Sequence, residues 1–389
     1  MTMNSEGRLK TIVLITRNFP PLLGGMEKLN FHLAKELSKS THMRVIGPSG
    51  AEAYRDINLQ IETCPISIGR FLIVATVKVL CMSATYRVVR KSAKPELVLA
   101  GSGVTAPVAW LFARCTGSKF GVYLHGLDII AKNEIYQRIF LPIIRKADLC
   151  IVNSSATKQK AIDAGIADIK ISVIPPGVEL SKRIINEQDI IAWKAENNIA
   201  KGPLLISVGR LTKRKGLNEF IRLSLPKIIR AHSDTMLLVV GSDPTNALNK
   251  SSVGIESLEE AAVEAGVRNH VRFLGSVSDH TLELIYACSD VHIFPIIRVP
   301  GDMEGFGIVA LEAAANGIPT VAFAEGGVID AVKNDESGFL VSPGNYREFA
   351  DTVTDLLSQS CTILPHKAQK FAAEFTWTRF GEKVRQLLL

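Results

Sequence analysis

The chain has 389 residues, 47% of them hydrophobic, which predicts a globular protein with two or three domains. Its formal net charge of +7 is unevenly spread, because residues 1–182 carry +11 and residues 183–389 carry −4. Only 6% of the residues are aromatic and no helix-turn-helix, zinc-finger or RNP pattern occurs, so the basic half favours an anionic lipid surface or a phosphorylated ligand over nucleic acid.

Apolar runs alternate with helical patterns along the first half of the chain. The predicted helices lie near residues 26–39, 69–92, 104–116, 133–146 and 155–164. The predicted strands are TIVLIT (11–16), RVIG (44–47), LVLAGS (97–102), FGVYLHG (120–126), LCIVNS (149–154) and ISVIPPG (171–177). Strands that alternate with helices in this way favour one parallel, doubly wound sheet.

A second series of the same kind follows a polar, weakly patterned stretch, ELSKRIINEQDIIAWKAENNIAKG. Its predicted strands are LLISVG (204–209), MLLVVG (236–241), VRFLG (271–275), VHIFP (291–295), PTVAF (319–323) and GFLV (338–341). We therefore predict an α/β protein with two Rossmann-like domains, residues 1–182 and 183–369. Ligands of such sheets bind beyond the carboxyl ends of the strands, so two facing sheets are expected to form one deep interdomain cleft.

The sequence predicts neither an export signal nor disulfide bonds or a metal site. The segment MTMNSEGRLK lacks the apolar core of a signal peptide, and no uncharged run reaches about 18 residues. The cysteines form no C-x-x-C pair, have no nearby His in ligand spacing and fall mostly in apolar runs, so we expect buried thiols without disulfides or metal. We expect a cytoplasmic protein, at most attached to a membrane surface. The six cysteines are Cys64, Cys81, Cys115, Cys150, Cys288 and Cys361.

Two glutamates, Glu304 and Glu312, stand eight residues apart in GDMEGFGIVALEAAANGIPTVA. The apolar run 308–315 predicts a helix packed on nearly all sides, which Gly317 and Pro319 end. Eight residues make a little over two helical turns, so both carboxylates are expected on one side, with Glu304 just ahead of the first turn. They would then serve as two acceptors for one extended polar ligand.

Two loops that follow strands are candidates for binding phosphate. Gly24 and Gly25 come just before a helix, where free backbone N–H groups can meet a phosphate or a sugar, although a simple tight turn explains them equally well. In SVGRLTKRKG, basic residues crowd the loop after the first strand of the second domain, where a guanidinium and an ammonium can clamp a diphosphate. Those residues are Arg210, Lys213, Arg214 and Lys215. Neither half contains G-x-G-x-x-G, which disfavours a nicotinamide or flavin enzyme.

A histidine ends one strand of the first domain, in YLHGLD (123–128). A lone His at a strand end is more often structural than catalytic. Here His125 lies at the predicted cleft, and Gly126 leaves room beside it, so a functional role is favoured when the other motifs are considered with it.

Together these motifs resemble the retaining GT-B glycosyltransferases of family four, the glycosyl transferases group 1. The likeness covers nearly the whole chain, through the GG loop, HGLD, GRLTKRKG, the E-x7-E pair, the ANGIPTVA turn and the terminal EFTWTRFGEKV. NGIP stands where the family more often has CGxP. The resemblance implies a GT-B fold in which the final helix, about residues 370–389, crosses back onto the first domain.

The resemblance also implies a role for each motif. Residues that match Arg210 and Lys215 hold the donor diphosphate, and one that matches Glu312 holds the ribose hydroxyls. Residues that match Glu304 and His125 hold the donor sugar. Further implied contacts are Gly24, Gly25, Gly209, Val277, Gly305, Phe306 and Gly307 for the nucleotide-sugar, and Glu27 and Asp128 on the acceptor side.

The implied reaction is transfer of a hexosyl group from a nucleotide diphosphate-sugar, with retention of configuration and without a metal or a cofactor. Arg210 and Lys215 would neutralise the charge that grows on the β-phosphate as the anomeric bond breaks. No D-x-D motif occurs and no cleft carboxylate is compellingly placed as a nucleophile, so we expect front-face attack, in which the leaving phosphate helps to remove the acceptor proton. His125 would stabilise charge near the sugar.

The expected donor is GDP-mannose, because RVPGDMEGFGIVALEA looks like the subfamilies that use it; a UDP-hexose is next. Two other functions remain as alternatives. One is a UDP-sugar epimerase on the same fold, and the other is a non-catalytic protein that binds sugar nucleotides.

The segment 68–96 predicts how the acceptor is reached. It holds six basic residues within 25 positions and no acid there, and Lys78 interrupts its apolar run too early for a spanning helix. A basic amphipathic helix would dock on an anionic membrane, so we expect a peripheral enzyme that glycosylates a saccharide or a lipid-linked acceptor for envelope polysaccharide, lipopolysaccharide or glycolipid. A core helix with a basic end is the alternative. The apolar residues at helical spacing are Phe71, Val74, Ala75, Val79, Met82 and Tyr86.

Overall fold

The computed structural model describes residues 9–89, 94–131, 133–180, 185–199, 202–242, 253–358 and 363–389. The chain divides into two compact units. The first runs to Gly177 and also contains Trp377–Leu389, and the second is Val178–Thr376. The ends at 177 and 376 differ from the predicted limits of 182 and 369 by five and seven residues.

Each unit contains one sheet of parallel strands. The first sheet is made of β1 (Thr11–Ile15), β2 (His42–Pro48), β3 (Leu59–Cys64), β4 (Leu97–Ala100), β5 (Lys119–Leu124), β6 (Leu149–Val152) and β7 (Ile171–Val173). The second is made of β8 (Leu204–Val208), β9 (Met236–Val240), β10 (Val271–Gly275), β11 (Val291–Phe294), β12 (Thr320–Phe323) and β13 (Gly338–Val341). Their strand orders are β3-β2-β1-β4-β5-β6-β7 and β10-β9-β8-β11-β12-β13. Both are therefore doubly wound, as the sequence predicted.

Helices connect the strands in both units. The first unit has α1 (Gly25–Ser38), α2 (Ile68–Val89), α3 (Ala106–Thr116), α4 (Leu127–Ile130), α5 (Leu141–Ile144) and α6 (Ser155–Asp163). The second has α7 (Glu187–Glu196), α8 (Leu217–Leu223), α9 (Leu225–Ala231), α10 (Ile255–Glu264), α11 (Asp279–Ala287), α12 (Ile308–Ala315), α13 (Val328–Ala331), α14 (Tyr346–Ser358) and α15 (Ile363–Ala372). The last helix, α16 (Trp377–Leu388), belongs to the first unit.

Several elements differ from the sequence prediction, among them the short helix α4, which was not predicted. Strand β3 was missed, because three of its six residues, Gln60, Glu62 and Thr63, are polar and at least partly exposed at the edge of the sheet, so it is not a continuous apolar run. Helix α7 was missed, because it buries only Trp193 and so shows no apolar face. The helix predicted over 133–146 is present from 134 to 144, but its middle, Tyr136–Phe140, is π-helical, and a proline lies in the first turn of α5, which follows.

The final helix packs on α1. The ring of Trp377 stacks on that of His32 with centroids 3.9 Å apart, and Arg385 Nη1 donates to the carbonyl of Glu36 at 3.0 Å. We predicted a crossing helix from about residue 370, whereas α16 begins at Trp377.

Helix α2 covers the core of the first unit with the face that we had assigned to a membrane. Phe71, Ala75 and Val79 are fully buried in that core, and Val74, Met82 and Tyr86 pack against it. The opposite face of α2 is apolar as well. By length and composition alone, the segment Ile68–Tyr86 is apolar enough to cross a membrane in spite of Lys78.

The cysteines of the described chain are free, but not all are buried as predicted. Cys64 and Cys150 are buried, whereas Cys81 is exposed on α2. Burial raises the pKa of the Cys64 thiol to about 11 and that of Cys150 to about 12. Cys361 lies outside the described residues.

Candidate active site

Three neighbouring strands of the second sheet bring their loops together. In this sheet β8 pairs with β11 and β11 pairs with β12, all parallel, so their carboxyl ends share one edge. The loop after β8 carries Arg210 and Lys215, and the chain after β11 leads to Glu304. The edge therefore joins the basic loop and the acidic motif, which are far apart in the sequence.

A four-residue cluster of charges forms at this edge. Lys215 Nζ lies 2.8 Å from Glu304 Oε2, and Arg214 Nε lies 3.2 Å from the same oxygen. The Nη1 of Arg214 also lies 3.3 Å from Asp302 Oδ2. All four side chains are nearly buried, with exposed fractions between 3% and 13%.

Burial and charge act in opposite directions on this cluster. Burial alone would raise the pKa of Glu304, but the Lys215 ammonium and the Arg214 guanidinium lower it to about 2. Burial lowers the pKa of Lys215, although Glu304 opposes this. The pKa of Arg214 is raised, because Glu304 and Asp302 outweigh its burial. Glu304 is therefore a carboxylate at neutral pH.

The loop after β8 holds Lys215 against its neighbours. Its ammonium lies 4.5 Å from the centre of the Phe294 ring, and a Cβ on Gly209 would lie 3.3 Å from its Cε. Arg210, the other predicted member of the diphosphate clamp, is exposed. Its charge is nonetheless near enough to lower the pKa of Lys215, although burial and Arg214 lower it more.

Glycines shape the turn between Glu304 and α12. Gly307 precedes the helix with φ of 93°, and a Cβ there would lie 2.7 Å from Phe294 Cε1. The Gly327 N–H donates to the carbonyl of Glu304 at 2.9 Å, which fixes this turn against the loop after β12. Phe306 is buried, while Gly305 is partly exposed.

Helix α12 runs over the predicted residues, and Glu312 is half-buried on it. Glu312 lies close enough to Tyr286 to raise the pKa of that phenol, after the larger effect of burial. Glu304 is already paired through one oxygen, since two cations lie at its Oε2, and Oε1 has no donor among the described residues. Val277, another predicted contact, is partly buried in the core beside β10.

In the first unit, His125 is held at the carboxyl edge of the sheet. Its Nε2 lies 2.9 Å from the Gly101 carbonyl oxygen, which only accepts, so Nε2 carries the proton. The ring stacks on Tyr123 with centroids 5.0 Å apart. Asn30 Nδ2 donates to the same carbonyl at 3.1 Å and so supports it from α1.

Asp128 and Glu27 were predicted on the acceptor side, and both have partners within the unit. Asp128 Oδ2 accepts from the Gly103 N–H at 2.9 Å, and Oδ1 accepts from the His125 N–H at 3.4 Å. Glu27 Oε1 accepts from Asn18 Nδ2 at 2.7 Å. Asp128 therefore ties together two loops, one of which carries His125.

The GG loop is open at the start of α1. Gly24 and Gly25 are both exposed, and Gly24 has φ of 152°. A Cβ on Gly24 would meet the carboxylate of Glu27, so this position favours glycine. The loop is thus exposed to solvent, and its contact with a ligand stays a prediction.

Each half of the chain matches the model of a known protein family. Residues 189–375 match the family model described as glycosyl transferases group 1, and residues 23–182 match that of glycosyltransferase family 4. Together the two models span both compact units. The chain is a GT-B glycosyltransferase.

Similar proteins match this glycosyltransferase over its full length. The GDP-mannose-dependent alpha-(1-6)-phosphatidylinositol monomannoside mannosyltransferase of Mycobacterium tuberculosis is 27% identical over 98% of both chains. Its counterpart from Mycolicibacterium smegmatis is 28% identical over 97% of this chain and 98% of its own. The structure of Anabaena HepE in complex with UDP and glucose has a TM-score of 0.78 at 19% identity, covering 97% of this chain and 99% of that one. The last comparison shows the fold.

The structure brings together only some of the residues predicted for this glycosyltransferase. Lys215 and Glu304 contact each other. Arg210 and Glu312 do not take part in the hydrogen bonds between the described residues of this cluster. Sequence reasoning missed Asp302 and Asn30, and it named Arg214 only as one of the basic residues of the loop, without its pairing to Glu304 and Asp302. Arg214 and Asp302 are each within two residues of a predicted site residue, and Asn30 is a polar residue among the buried positions of α1.

No group of three or more His, Cys, Asp or Glu side chains is placed to hold a metal ion in the ranges that the structure describes.

Proposed function

We propose that this glycosyltransferase moves a mannosyl group from GDP-mannose to a saccharide or lipid-linked acceptor, with retention of configuration and without a metal. The proposal depends above all on the buried pair of Lys215 and Glu304 at the carboxyl edge of the second sheet. The choice of donor is supported by full-length relatives whose names specify GDP-mannose.

The charges of the cluster suit an anionic leaving group. Within the four-residue cluster, Arg214 and Lys215 balance Asp302 and Glu304, and Arg210, whose charge reaches Lys215, adds a further cation. One positive charge is left over for a diphosphate. Cations held in place before the reaction stabilise charge on a leaving group without reorganising, which is how a site without a metal can work.

In the proposed reaction, the leaving phosphate accepts the proton that the acceptor loses, so the bond changes balance. The bond between the anomeric carbon and the β-phosphate oxygen breaks, and the acceptor oxygen bonds to the same face of that carbon. The acceptor proton passes to the departing phosphate oxygen. Because the acceptor bonds on the face from which the phosphate leaves, the product keeps the α configuration of the donor, and Lys215 and Arg210 hold the phosphate on that face.

Two side chains are proposed to contact the donor sugar. Both cations at Glu304 lie on Oε2, so Oε1 is left to accept a hydrogen bond from a sugar hydroxyl. The proton of His125 is on Nε2, toward Gly101, so Nδ1 is left for the substrate. Glu312 is proposed to accept from the ribose hydroxyls, separately from Glu304.

A transfer assay tests the function. The purified chain is incubated with GDP-mannose labelled with ¹³C at the anomeric carbon, together with a polar lipid extract, and the products are examined by NMR and mass spectrometry. We expect an α-linked mannolipid whose yield is unchanged by EDTA. A β-linked product or loss of activity with EDTA contradicts the proposed mechanism, and product from UDP-glucose alone contradicts the donor.

We further propose that the enzyme works at an anionic membrane surface, through the outer stripe of α2 (Ile73, Val77 and Leu80). These three side chains recur on one helical face and are 67%, 55% and 47% exposed. Arg70 lies exposed one turn before them, and the sequence at the end of α2 is rich in arginine and lysine. An apolar stripe flanked by cations is complementary to an anionic lipid surface.

Co-sedimentation with phosphatidylglycerol vesicles tests this surface. We expect binding at low salt, weaker binding at about 0.5 M salt because screening shortens the range of charge interactions, and loss of binding in Ile73→Ser/Val77→Ser. The control is Val263→Ser, which removes an exposed valine of the second unit. If the wild-type chain stays in the supernatant at low salt, a soluble acceptor is the better interpretation.

A further inference from the structure

One oxygen of Glu304 receives two cations. Lys215 Nζ and Arg214 Nε lie 2.8 Å and 3.2 Å from Oε2, and Oε1 has no donor among the described residues. Arg214 reaches further, with Nη1 at 3.4 Å and 3.3 Å from the two carboxylate oxygens of Asp302. Glu304 is thus held from one side only.

This arrangement conflicts with the role proposed for Lys215, which is to bind the diphosphate while it also pairs with Glu304. A diphosphate that enters the cluster would compete with Glu304 for the ammonium of Lys215, and without Arg214 the nearly buried carboxylate would then lack a counter-ion. Glu304 would then take up a proton or turn toward another donor, and in either case its free oxygen would no longer accept from the sugar.

Arg214 is fixed in place by contacts of both its side chain and its backbone. Its guanidinium is planar and presents several N–H groups in a fixed fork, so it holds Glu304 and Asp302 at once. Its backbone carbonyl accepts from the Ile297 N–H at 2.8 Å, which fixes the base of the side chain. The Asp302 side chain is only 3% exposed and faces Arg214.

We propose that Arg214 and Asp302 are positioning residues of the donor site, an inference that rests on the proposed function. Arg214, anchored by Asp302, keeps Glu304 ionised and its Oε1 directed to the sugar while Lys215 exchanges Glu304 for the diphosphate. Lys215 is then free to follow the leaving group without leaving Glu304 unpaired.

The test compares variants that change this arginine or its anchor. Arg214→Gln removes the second cation, Arg214→Lys restores a charge without the fork, and Asp302→Asn weakens the anchor. Arg222→Gln is the matched control, because Arg222 pairs with Glu264 on the surface of the same unit at 2.7 Å. Mannosyl transfer is measured between pH 2 and pH 8, so that the range includes the pKa of Glu304, and GDP binding is measured by calorimetry.

The pH profile separates positioning from simple support of the fold. The groups that face Glu304 are Lys215 and Arg214; Asp302 faces Arg214, and Arg210 and His292 lie near Lys215. Removing the Arg214 charge raises the pKa of Glu304, so the acid limb of kcat moves to higher pH. A variant that only loosens the fold lowers kcat without moving that limb.

We expect kcat of Arg214→Gln to fall by about tenfold or more and its acid limb to rise by about half a pH unit or more. Arg214→Lys should recover part of both effects, and Asp302→Asn should show smaller changes in the same direction. If Arg214→Gln does not fold, the last two variants, which keep size and polarity, decide the question.

Two outcomes overturn the inference in different ways. If the Arg214 and Asp302 variants keep kcat within about twofold and the wild-type acid limb, while Lys215→Ala is inactive, the positioning role is wrong and the proposed function stands. If wild-type protein binds neither GDP nor UDP and transfers no sugar, the proposed function falls and the positioning role falls with it.

Discussion

Lys215 and Glu304 are 89 positions apart in the chain, yet Nζ of one lies 2.8 Å from Oε2 of the other. The contact exists because β8 and β11 are neighbours in the second sheet, so the loops at their carboxyl ends meet. Nearly buried charges attract each other more strongly than surface pairs, but their desolvation opposes this, so removing one partner leaves a costly unpaired charge. The pair is therefore the natural first target for mutation.

Replacing Lys215 by Ala should lower kcat by about 100-fold, since a charge held at the leaving group typically contributes a few kcal/mol to the transition state. Arg210→Ala should lower it less, by about tenfold, because the exposed side chain is screened by solvent. Steady-state kinetics with donor and acceptor measure both. Lys227→Ala, which breaks a surface pair with Asp351, should act like wild type. Parental rates in both site variants would show that the clamp is assigned wrongly.

The two glutamates should respond differently to loss of charge. Glu312→Gln is expected mainly to weaken nucleotide binding, because it is proposed to hold the ribose. Glu304→Gln is expected to leave the affinity for free nucleotide nearly unchanged and to reduce sugar transfer. Calorimetry with GDP and UDP on both variants, combined with kcat, makes the comparison. Equal losses of nucleotide affinity would remove the distinction.

Glu304 should also make the free energy of unfolding depend on pH in the acid range. Its pKa in the folded state is lowered to about 2 from 4.5, so its charge stabilises the fold above about pH 4.5 and that contribution is lost as the pH falls toward 2. Between pH 4.5 and 3, the free energy of unfolding of wild type should therefore fall toward that of Glu304→Gln. Urea titrations at several pH values measure it. A gap between the two proteins that stays constant over this range contradicts the shift.

The turn before α12 depends on a glycine at position 307. Gly307→Ala should destabilise the fold by about 1–3 kcal/mol, because φ of 93° strains any other residue and the new Cβ would press on Phe294. Gly69→Ala in α2 is the control, since its Cβ would meet nothing within 4 Å, and there we expect a gain of about 0.5–1 kcal/mol. Thermal melting of both variants gives the answer. Equal melting temperatures would mean that the turn adapts.

Much of the fold could be predicted, because buried parallel strands such as β1 and β4 are continuous apolar runs. β3 could not be recognised in this way, since an edge strand exposes part of its sequence. The apolar spacing in α2 correctly predicted which residues share one face of the helix. The same pattern cannot say whether the protein core or a lipid surface covers that face.

The candidate site was predictable in part. Motifs identified Lys215 and Glu304 separately, but their pairing depends on the order of strands in the sheet. Arg214 was visible only as one of several basic residues in a loop, and its role depends on Asp302, which lies on a different loop. Asn30 acts through the carbonyl of Gly101, a backbone contact that no side-chain pattern reveals.

Calorimetric titration of GDP-mannose and UDP-glucose into wild-type protein and Lys215→Ala tests the central claim most directly. The account predicts that GDP-mannose binds wild type, that UDP-glucose binds at least about tenfold more weakly, and that Lys215→Ala loses at least about tenfold in affinity for GDP-mannose. Equal binding of GDP-mannose to wild type and to Lys215→Ala, or no binding to either, would contradict it.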